Sequence, residues 1–303
     1  MAANTSITAI PGIQVGHWEG DGTGCTVVLC PPEGCIASGS VRGGAPGTRE
    51  TALLEPAKTI ERIHAITLTG GSAFGLASAH GVMRYLAERG RGFKTPHATI
   101  PIVPAAAIYD LSIAKETPAE NAGYQAAQQA SSDPIQNGLV GAGRGASCGK
   151  YLAAGKPSRG GLGSALVHVG EALVSALCVA NPLGDIVDPH SGEVVAGACT
   201  EDGQAVSSPR HSQLAQLAFG GNTTLVVVAT NAQLSKRDAH ILADSAHVGI
   251  AHVTYPSHTP HDGDTCFVLG TGNAPAVPSL ALSVAVQEVV SEAILNAARA
   301  ANA

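Results

Sequence analysis

Short runs of apolar and β-branched residues alternate along the chain with longer segments of helical periodicity, and glycine or proline separates them. The short runs predict buried strands, and apolar residues spaced three or four apart predict amphipathic helices. Sheets covered by helices follow from this order, which predicts an α+β or layered α/β fold. The predicted strands are residues 25–30, 36–41, 65–69, 172–180, 223–230 and 265–272, and the predicted helices are residues 73–88, 119–131, 235–250 and 278–301.

Three local features refine this pattern. The short proline- and glycine-containing segment between residues 25–30 and 36–41 favours a hairpin of those two strands. Ser235 stands at the predicted start of the helix that follows, where a hydroxyl can cap the first free N–H groups. Residues 200–221 are polar, contain a predicted short helix at 213–218, and form the one plausible linker.

Composition excludes several functional classes. The 303 residues are 45% hydrophobic and only 13% charged, which predicts a folded protein with much surface buried between subunits. The net charge of −6 provides no basic surface, so nucleic acid is not an expected partner. The N-terminus lacks a signal-peptide pattern, and no run of eighteen apolar residues predicts a membrane span. Seven cysteines without a C-x-x-C pair favour free thiols and a cytoplasmic protein.

Candidate cofactor and metal motifs are incomplete. The glycine-rich run 139–150 lacks one residue of a P-loop, and Tyr151 replaces the required Ser or Thr. His258 and His261 precede two aspartates and offer a zinc alternative, but no H-E-x-x-H motif occurs and Pro260 disfavours a helical pair. The sequence therefore predicts neither a cofactor nor a metal.

The junction Asn222-Thr223 is the most informative candidate for chemistry. Two glycines precede it, and Thr223 begins the β-branched run 223–230. A threonine at this place can attack the carbonyl before it. Once the bond is cut, Thr223 carries a hydroxyl beside its own free α-amine, a pairing that activates a weak nucleophile. On its own, however, the pattern also describes an ordinary core strand.

Five segments together resemble the DmpA/BapA family of self-processing aminopeptidases and amidases, which includes the nylon-oligomer hydrolase NylC. The resemblance covers about residues 8 to 295, and its motifs are long and in the same order. The Thr at position 223 is similar to NylC, whereas DmpA-like members often have Ser there. The segments are residues 41–51, 70–75, 81–86, 222–230 and 258–265.

The resemblance implies a four-layer αββα sandwich of the N-terminal-nucleophile-hydrolase type. It implies one hydrolase domain over residues 1–303, cut by itself into an α chain (1–222) and a β chain (223–303). The two chains are expected to remain together as one protomer, and four protomers to form a homotetramer. The expected substrate is a small peptide or an oligoamide.

The resemblance also implies site residues. Thr223 is the expected nucleophile, and Asn222-Thr223 the bond that is cut. The family's acidic pair falls on Asp262 and Asp264. The matches to the Lys, Asn and Tyr of NylC are Lys150, Asn181 and Tyr109, with Lys156 as a second candidate for the lysine.

The residue types suit amide hydrolysis. A terminal amine with a pKa near ~7.7–8.0 is a suitable general base at neutral pH. Asp262 and Asp264 are expected to hold the amine and hydroxyl of Thr223, and their i, i+2 spacing puts both carboxylates on one face if the segment is extended. A tight turn at Gly263 would spoil that geometry. Asn181 is expected to donate to the developing oxyanion.

The sequence-based hypothesis is thus a self-cleaving amidohydrolase that acts on peptides or ω-amino-acid oligomers of the 6-aminohexanoate type. A β-peptidyl or D-amino-acid aminopeptidase or esterase of the same family is the alternative within this class. A non-catalytic binding protein on the same scaffold is the alternative from another class.

Overall fold

Two β-sheets lie face to face at the centre of the computed structural model, which describes residues 4–152, 155–202, 206 and 221–303. Sheet I contains, in spatial order, strands Gln14–Glu19, Gly24–Leu29, Ala65–Thr69, Ala105–Ala107 and Gly47–Arg49. Sheet II contains strands Gly161–Val169, Ala172–Asn181, Thr223–Thr230, Thr265–Gly270, Cys35–Val41 and Arg62–Ile63. Three small sheets lie outside these two. The first contains Ser147–Cys148, Lys156–Arg159 and Ala198–Cys199, and the second contains Val194–Ala196, Asp185–Val187 and Thr254–Tyr255. The third is the pair Phe93–Lys94 and Thr99–Ile100.

Helices cover the outer face of each sheet. Among the described residues the α-helices are α1 (Ser72–Gly75), α2 (Ser78–Ala87), α3 (Glu120–Gln128), α4 (Lys236–Val253) and α5 (Ser279–Ala301). Helices α2 and α3 pack on sheet I, and α4 and α5 pack on sheet II. Short 3₁₀ turns occur at Ile7–Ala9, Ala52–Leu54 and Gly141–Gly143. The result is the four-layer αββα sandwich that the family resemblance implied.

Strand Thr223–Thr230 shows why the apolar runs become central strands. All eight of its residues are buried. Successive side chains of a strand point to opposite faces, so Val226 and Val228 pack under the outer helices while Leu225 and Val227 pack between the sheets. The strand is antiparallel to Ala172–Asn181 on one side and parallel to Thr265–Gly270 on the other.

The predicted hairpin of residues 25–30 and 36–41 is wrong. The first segment forms a strand of sheet I, and the second forms Cys35–Val41 in sheet II. Gly24–Leu29 pairs with the preceding strand Gln14–Glu19 and with Ala65–Thr69, whereas Cys35–Val41 pairs with Thr265–Gly270 and Arg62–Ile63. The short connection therefore crosses between the sheets.

The predicted helix 73–88 is two helices, α1 and α2. Between them the backbone N–H groups bond to the carbonyl three residues back instead of four, which tightens the turn. The Ser78 hydroxyl donates to the carbonyl of Gly75 at 2.7 Å, so a side chain rather than a backbone N–H satisfies that carbonyl. The cap at Ser235 is confirmed: its hydroxyl accepts from the Asp238 N–H, and Asp238 accepts from the Ser235 N–H in return. The predicted helix 213–218 lies outside the described residues.

Helix α5 is long and apolar enough to cross a membrane by length and composition alone. One of its faces, however, packs on sheet II through residues such as Val286, Val289 and Ile294, and half of its apolar window is buried in the chain. A core helix of this kind passes the same test. All seven cysteines are free, and all but Cys199 are buried.

Candidate active site

Thr223 is the first residue of its strand and lies at one end of sheet II, where it is only 3% exposed. The neighbouring strand Ala172–Asn181 ends opposite it, so Asn181 is paired with Thr223 in the ladder. The strand on the other side begins at Thr265, directly after the Asp-Gly-Asp segment. The sheet thus brings three segments, far apart in sequence, to the Asn222-Thr223 bond.

The Thr223 hydroxyl lies against the carbonyl group of Asn222. Its Oγ1 donates to the Asn222 carbonyl oxygen at 2.5 Å, and the backbone N–H of Gly263 donates to the same oxygen at 2.9 Å. A Cβ at Gly263 would stand 2.9 Å from Thr223 Oγ1, closer than real contacts allow. The absence of a side chain at this position therefore leaves room for the hydroxyl.

Lys150, Asn181 and Tyr109 surround the preceding residue, Gly221. Lys150 Nζ donates to Asn181 Oδ1 at 2.9 Å, to the Asn181 carbonyl at 3.0 Å and to the Gly221 carbonyl at 3.4 Å. Asn181 Nδ2 also donates to the Gly221 carbonyl, at 3.4 Å. The Tyr109 ring packs so closely on Gly221 that a Cβ there would come within 2.3 Å of it.

The two candidate lysines occupy different surroundings. Lys156 is exposed, and its Nζ donates to the carbonyl of Glu201 at 3.2 Å. The ammonium of Lys150 lies in the interior beside Asn181, although the residue as a whole is partly exposed. The structure therefore brings Lys150, and not Lys156, to the Thr223 end of the sheet.

Burial lowers the pKa of Lys150 from its ordinary value to about 7. Cys148, Asp262, Asp264 and Asp110 act in the opposite direction, because negative charge nearby favours the ammonium form. A lysine with a pKa near neutrality can exchange a proton at working pH, and it can also present a positive charge to a developing oxyanion.

Asp264 is 1% exposed and binds the residue after the nucleophile. Its Oδ1 accepts from the Thr224 N–H at 2.6 Å, and its Oδ2 lies 2.7 Å from His258 Nδ1. Among the described residues, its hydrogen bonds therefore run to Thr224 and His258 rather than to Thr223.

Asp262 is also 1% exposed. It accepts from the Thr259 N–H at 2.8 Å and from the Leu183 N–H at 3.4 Å. Burial, reinforced by the charge of Asp264, raises the pKa of this carboxyl. The backbone here is extended, with a parallel bridge between Asp262 and Asn222, so the tight turn considered at Gly263 does not occur.

Sequence reasoning missed the roles of Gly263 and His258 in this arrangement. His258 has a positive φ of 53° and donates its backbone N–H to Asp264 Oδ2 at 3.3 Å, in addition to its ring contact. Burial alone would lower the pKa of His258, but the Asp264 carboxylate outweighs it and raises the pKa. In the sequence, His258 stands out only because it lies just before the acidic pair. That position suggested a zinc ligand and gave no sign of its contact with Asp264. Among the described residues, no group of three or more His, Cys, Asp or Glu side chains is arranged to hold a metal ion.

Comparisons with known proteins show what the whole chain is similar to. The sequence profile of peptidase family S58 matches residues 5–303. An uncharacterized aminopeptidase of Mycobacterium tuberculosis is 40% identical over 296 residues, which cover 90% of this chain and 83% of that protein. A 6-aminohexanoate-oligomer endohydrolase of a Kocuria species is 32% identical over 316 residues, covering 95% of this chain and 84% of that protein.

A solved structure shares the fold. The L-aminopeptidase D-Ala-esterase/amidase of Ochrobactrum anthropi, described as a variant of the N-terminal-nucleophile hydrolase fold, superposes with a TM-score of 0.72 at 21% identity. The superposition covers 98% of this chain and 86% of the other. The αββα sandwich described above is therefore the fold of the N-terminal-nucleophile hydrolases.

Proposed function

The chain belongs to peptidase family S58 and is a hydrolase acting on amide bonds; from this premise we propose that Thr223 is an N-terminal nucleophile released by self-cleavage. The observation that supports the proposal most strongly is the position of the Thr223 hydroxyl, which donates to the carbonyl oxygen of Asn222 at 2.5 Å and so lies beside the bond to be cut. Cleavage would divide the single domain of residues 1–303 into an α chain, 1–222, and a β chain, 223–303. Family membership counts against the non-catalytic binding alternative.

In the turnover mechanism that we propose, the hydroxyl of Thr223 attacks the substrate carbonyl and forms an acyl-enzyme, which water then hydrolyses. The free α-amine of Thr223 accepts the hydroxyl proton and passes it to the leaving amine. Its unperturbed pKa of about 7.7–8.0 suits this exchange near neutral pH.

Other residues would stabilise charge and position the strand end. Asn181 and Lys150 present an amide N–H and an ammonium to the carbonyl oxygen of Gly221. Once the α-chain terminus moves aside, the same donors are available to the oxyanion of a substrate. Asp264 holds the backbone directly after Thr223, and the ring of Tyr109 forms a wall of the site.

We assign the substrate to small peptides or ω-amino-acid oligomers. The relatives named as 6-aminohexanoate-oligomer endohydrolases support an oligoamide, and those named as aminopeptidases support a free amino terminus. A β-peptidyl or D-amino-acid aminopeptidase or esterase is the runner-up. The proposal includes a cytoplasmic homotetramer of αβ protomers, with neither nucleic acid nor a membrane as partner.

Denaturing gel electrophoresis with mass spectrometry tests the proposal. We expect wild-type protein to give two fragments that end at Asn222 and begin at Thr223, while Thr223→Ala remains one inactive chain. Thr223→Ser is the matched control, because it keeps a hydroxyl nucleophile and should still be cut. An intact wild-type chain that hydrolyses amides would refute the proposal. Rates on an amino-terminal p-nitroanilide and on a capped oligoamide would then distinguish exo- from endo-action.

A further inference from the structure

Two neighbouring carbonyl oxygens before Thr223 are held by different sets of donors. The Gly221 oxygen receives Asn181 Nδ2 and Lys150 Nζ, each at 3.4 Å. The Asn222 oxygen, which belongs to the bond proposed to break, receives the Gly263 N–H at 2.9 Å. The described contacts of Asn181 and Lys150 are therefore displaced by one peptide unit from the carbonyl that Thr223 would attack.

We infer that the backbone N–H of Gly263 is the oxyanion donor for self-cleavage, and that Asn181 performs the corresponding task only for external substrates. This inference rests on the proposed function, since it assigns a donor to the proposed self-cleavage step. It divides the site into a backbone donor used once, during maturation, and a side-chain donor used in every turnover.

Self-cleavage needs only groups of the chain and one water molecule. Thr223 Oγ bonds to the Asn222 carbonyl carbon while the π electrons move onto the carbonyl oxygen, where the Gly263 N–H stabilises the negative charge. Collapse restores the carbonyl and breaks the bond to the Thr223 nitrogen, which takes up the proton that the hydroxyl lost. Water then hydrolyses the resulting ester and leaves an Asn222 carboxylate and a free Thr223 amine and hydroxyl.

The Gly263 N–H is fixed in place before the reaction begins. The carbonyl of Asp262 accepts from the Ala45 N–H at 2.9 Å, and the carbonyl of Asp264 accepts from the Arg42 N–H at 2.8 Å. The residues on both sides of Gly263 are thus bonded to the same neighbouring loop. A donor that does not have to reorient as charge develops stabilises a transition state most effectively.

The lack of a side chain at residue 263 fits the same role. A Cβ there would meet the Ala45 carbonyl oxygen at 2.6 Å as well as the Thr223 hydroxyl. A side chain would therefore push the segment away from the carbonyl of Asn222 and would crowd the attacking oxygen. Alanine at residue 263 would add this crowding without removing the N–H, and proline would add the crowding together with the loss of the N–H, so neither substitution isolates the donor.

The clean test replaces Gly263 by glycolic acid during cell-free translation, which changes one backbone N–H into an ester oxygen without adding a side chain. Loss of one oxyanion donor slows a reaction by about 10²–10³-fold, so we expect that decrease in the rate at which the intact chain disappears on denaturing gels. Glycolic acid at Gly44, whose N–H donates to the Thr259 carbonyl at 3.2 Å, is the matched control and should be cut at the wild-type rate.

The second readout is turnover by the fraction that has been cut. Amide hydrolysis per free Thr223 terminus should stay within about threefold of wild type for the Gly263 ester, because Asn181 supplies that donor. Asn181→Ala should show the opposite pattern, with cleavage little affected and turnover reduced about 10²-fold or more. Melting curves of each ester in the uncut Thr223→Ala chain check that the fold is retained.

The outcomes separate the two proposals. If the Gly263 ester is cut at the wild-type rate, or loses cleavage and turnover equally, the division between two donors is wrong. If wild-type protein itself remains one chain, self-cleavage fails and the Gly263 bond is only a ladder bond of the sheet.

Discussion

Lys150 and Lys236 both direct their ammonium groups at carbonyl oxygens of the protein, but at opposite kinds of place: beside the Thr223 strand end and under a surface segment, respectively. Burial lowers the pKa of both. The ammonium of Lys236 donates to three backbone carbonyls of one surface segment, those of Leu53, Lys58 and Ile60, at 2.9, 2.8 and 2.6 Å. That of Lys150 donates to Asn181 and Gly221, directly beside the start of the Thr223 strand.

A lysine with a buried ammonium group belongs to a functional site only if its hydrogen-bond partners do. Lys236 connects residues 53–60 to helix α4, and in the part of the chain that the structure describes its hydrogen bonds go to backbone carbonyls. Lys150 orients Asn181 and is influenced by Asp262 and Asp264. We therefore expect Lys150 to affect mainly catalysis and Lys236 to affect mainly stability.

Replacing Lys150 should have the largest effect. Lys150→Met removes the cation beside Asn181, and we expect amide hydrolysis to fall at least about 10²-fold. The melting temperature should change little: Asn181 and Gly221 lose a donor, but the desolvated charge whose pKa burial lowers to about 7 is removed as well. Lys156→Met is the matched control and should keep activity within about twofold, since exposed substitutions away from a site have small effects. Loss of activity in Lys156→Met alone would reverse the assignment.

Replacing Lys236 should have the opposite profile. Lys236→Met leaves three carbonyls without their donor, so the free energy of unfolding should fall by roughly 1–3 kcal/mol. Denaturant unfolding of Lys236→Met in the uncut Thr223→Ala chain measures this free energy. Activity is measured separately, in Lys236→Met protein that retains Thr223. Activity per folded molecule should not change. A fully stable but inactive Lys236→Met protein would show that Lys236 acts in catalysis and not in stability.

The pH dependence of stability should separate Lys150 from an ordinary lysine. In the Thr223→Ala chain, Lys150 has a native pKa of about 7, whereas in the unfolded chain its pKa is roughly 10.4. Between these values the unfolded state binds one more proton, so the free energy of unfolding rises with pH relative to Lys150→Met, by about 1.4 kcal/mol per pH unit. Below the native pKa the difference is constant. A flat difference from about pH 7 to 10 would contradict the lowered pKa.

The smallest expected effect concerns His258. Its raised pKa means that its pairing with Asp264 stabilises the fold fully below the unfolded pKa of about 6.5, and that this is lost as pH rises through the higher folded value. In the Thr223→Ala chain, His258→Asn, which tolerates the positive φ, should therefore destabilise more at about pH 5 than at about pH 9, by under about 1 kcal/mol. Equal destabilisation at both pH values would show that the ring acts through packing alone.

Much of the architecture was predictable because its signal is local. The strand at 223–230, the helix behind Ser235 and the long C-terminal helix each follow from periodicity and capping. The hairpin of residues 25–30 and 36–41 failed because pairing depends on partners far along the chain. The sequence of a short loop with proline and glycine is the same kind of sequence whether the loop joins two strands of one sheet or crosses between two sheets.

The candidate site was predictable to a smaller degree. The resemblance implied Thr223, Asn181, Tyr109, Asp262, Asp264 and Lys150, and it left Lys156 as a second candidate for the lysine. Spacing alone says nothing about which lysine is buried, since that depends on where the strand after residue 155 runs. Structure places Lys150 at the site and Lys156 at the surface.

The sequence by itself determined the family, the run of buried residues behind Thr223 and the kinds of side chain available for amide chemistry. These properties depend on residue type and order along one segment. Only the tertiary structure decided that the Gly263 N–H meets the Asn222 carbonyl while Asn181 and Lys150 meet that of Gly221. Hydrogen bonds between separate strands depend on register, and a shift of one residue changes every partner.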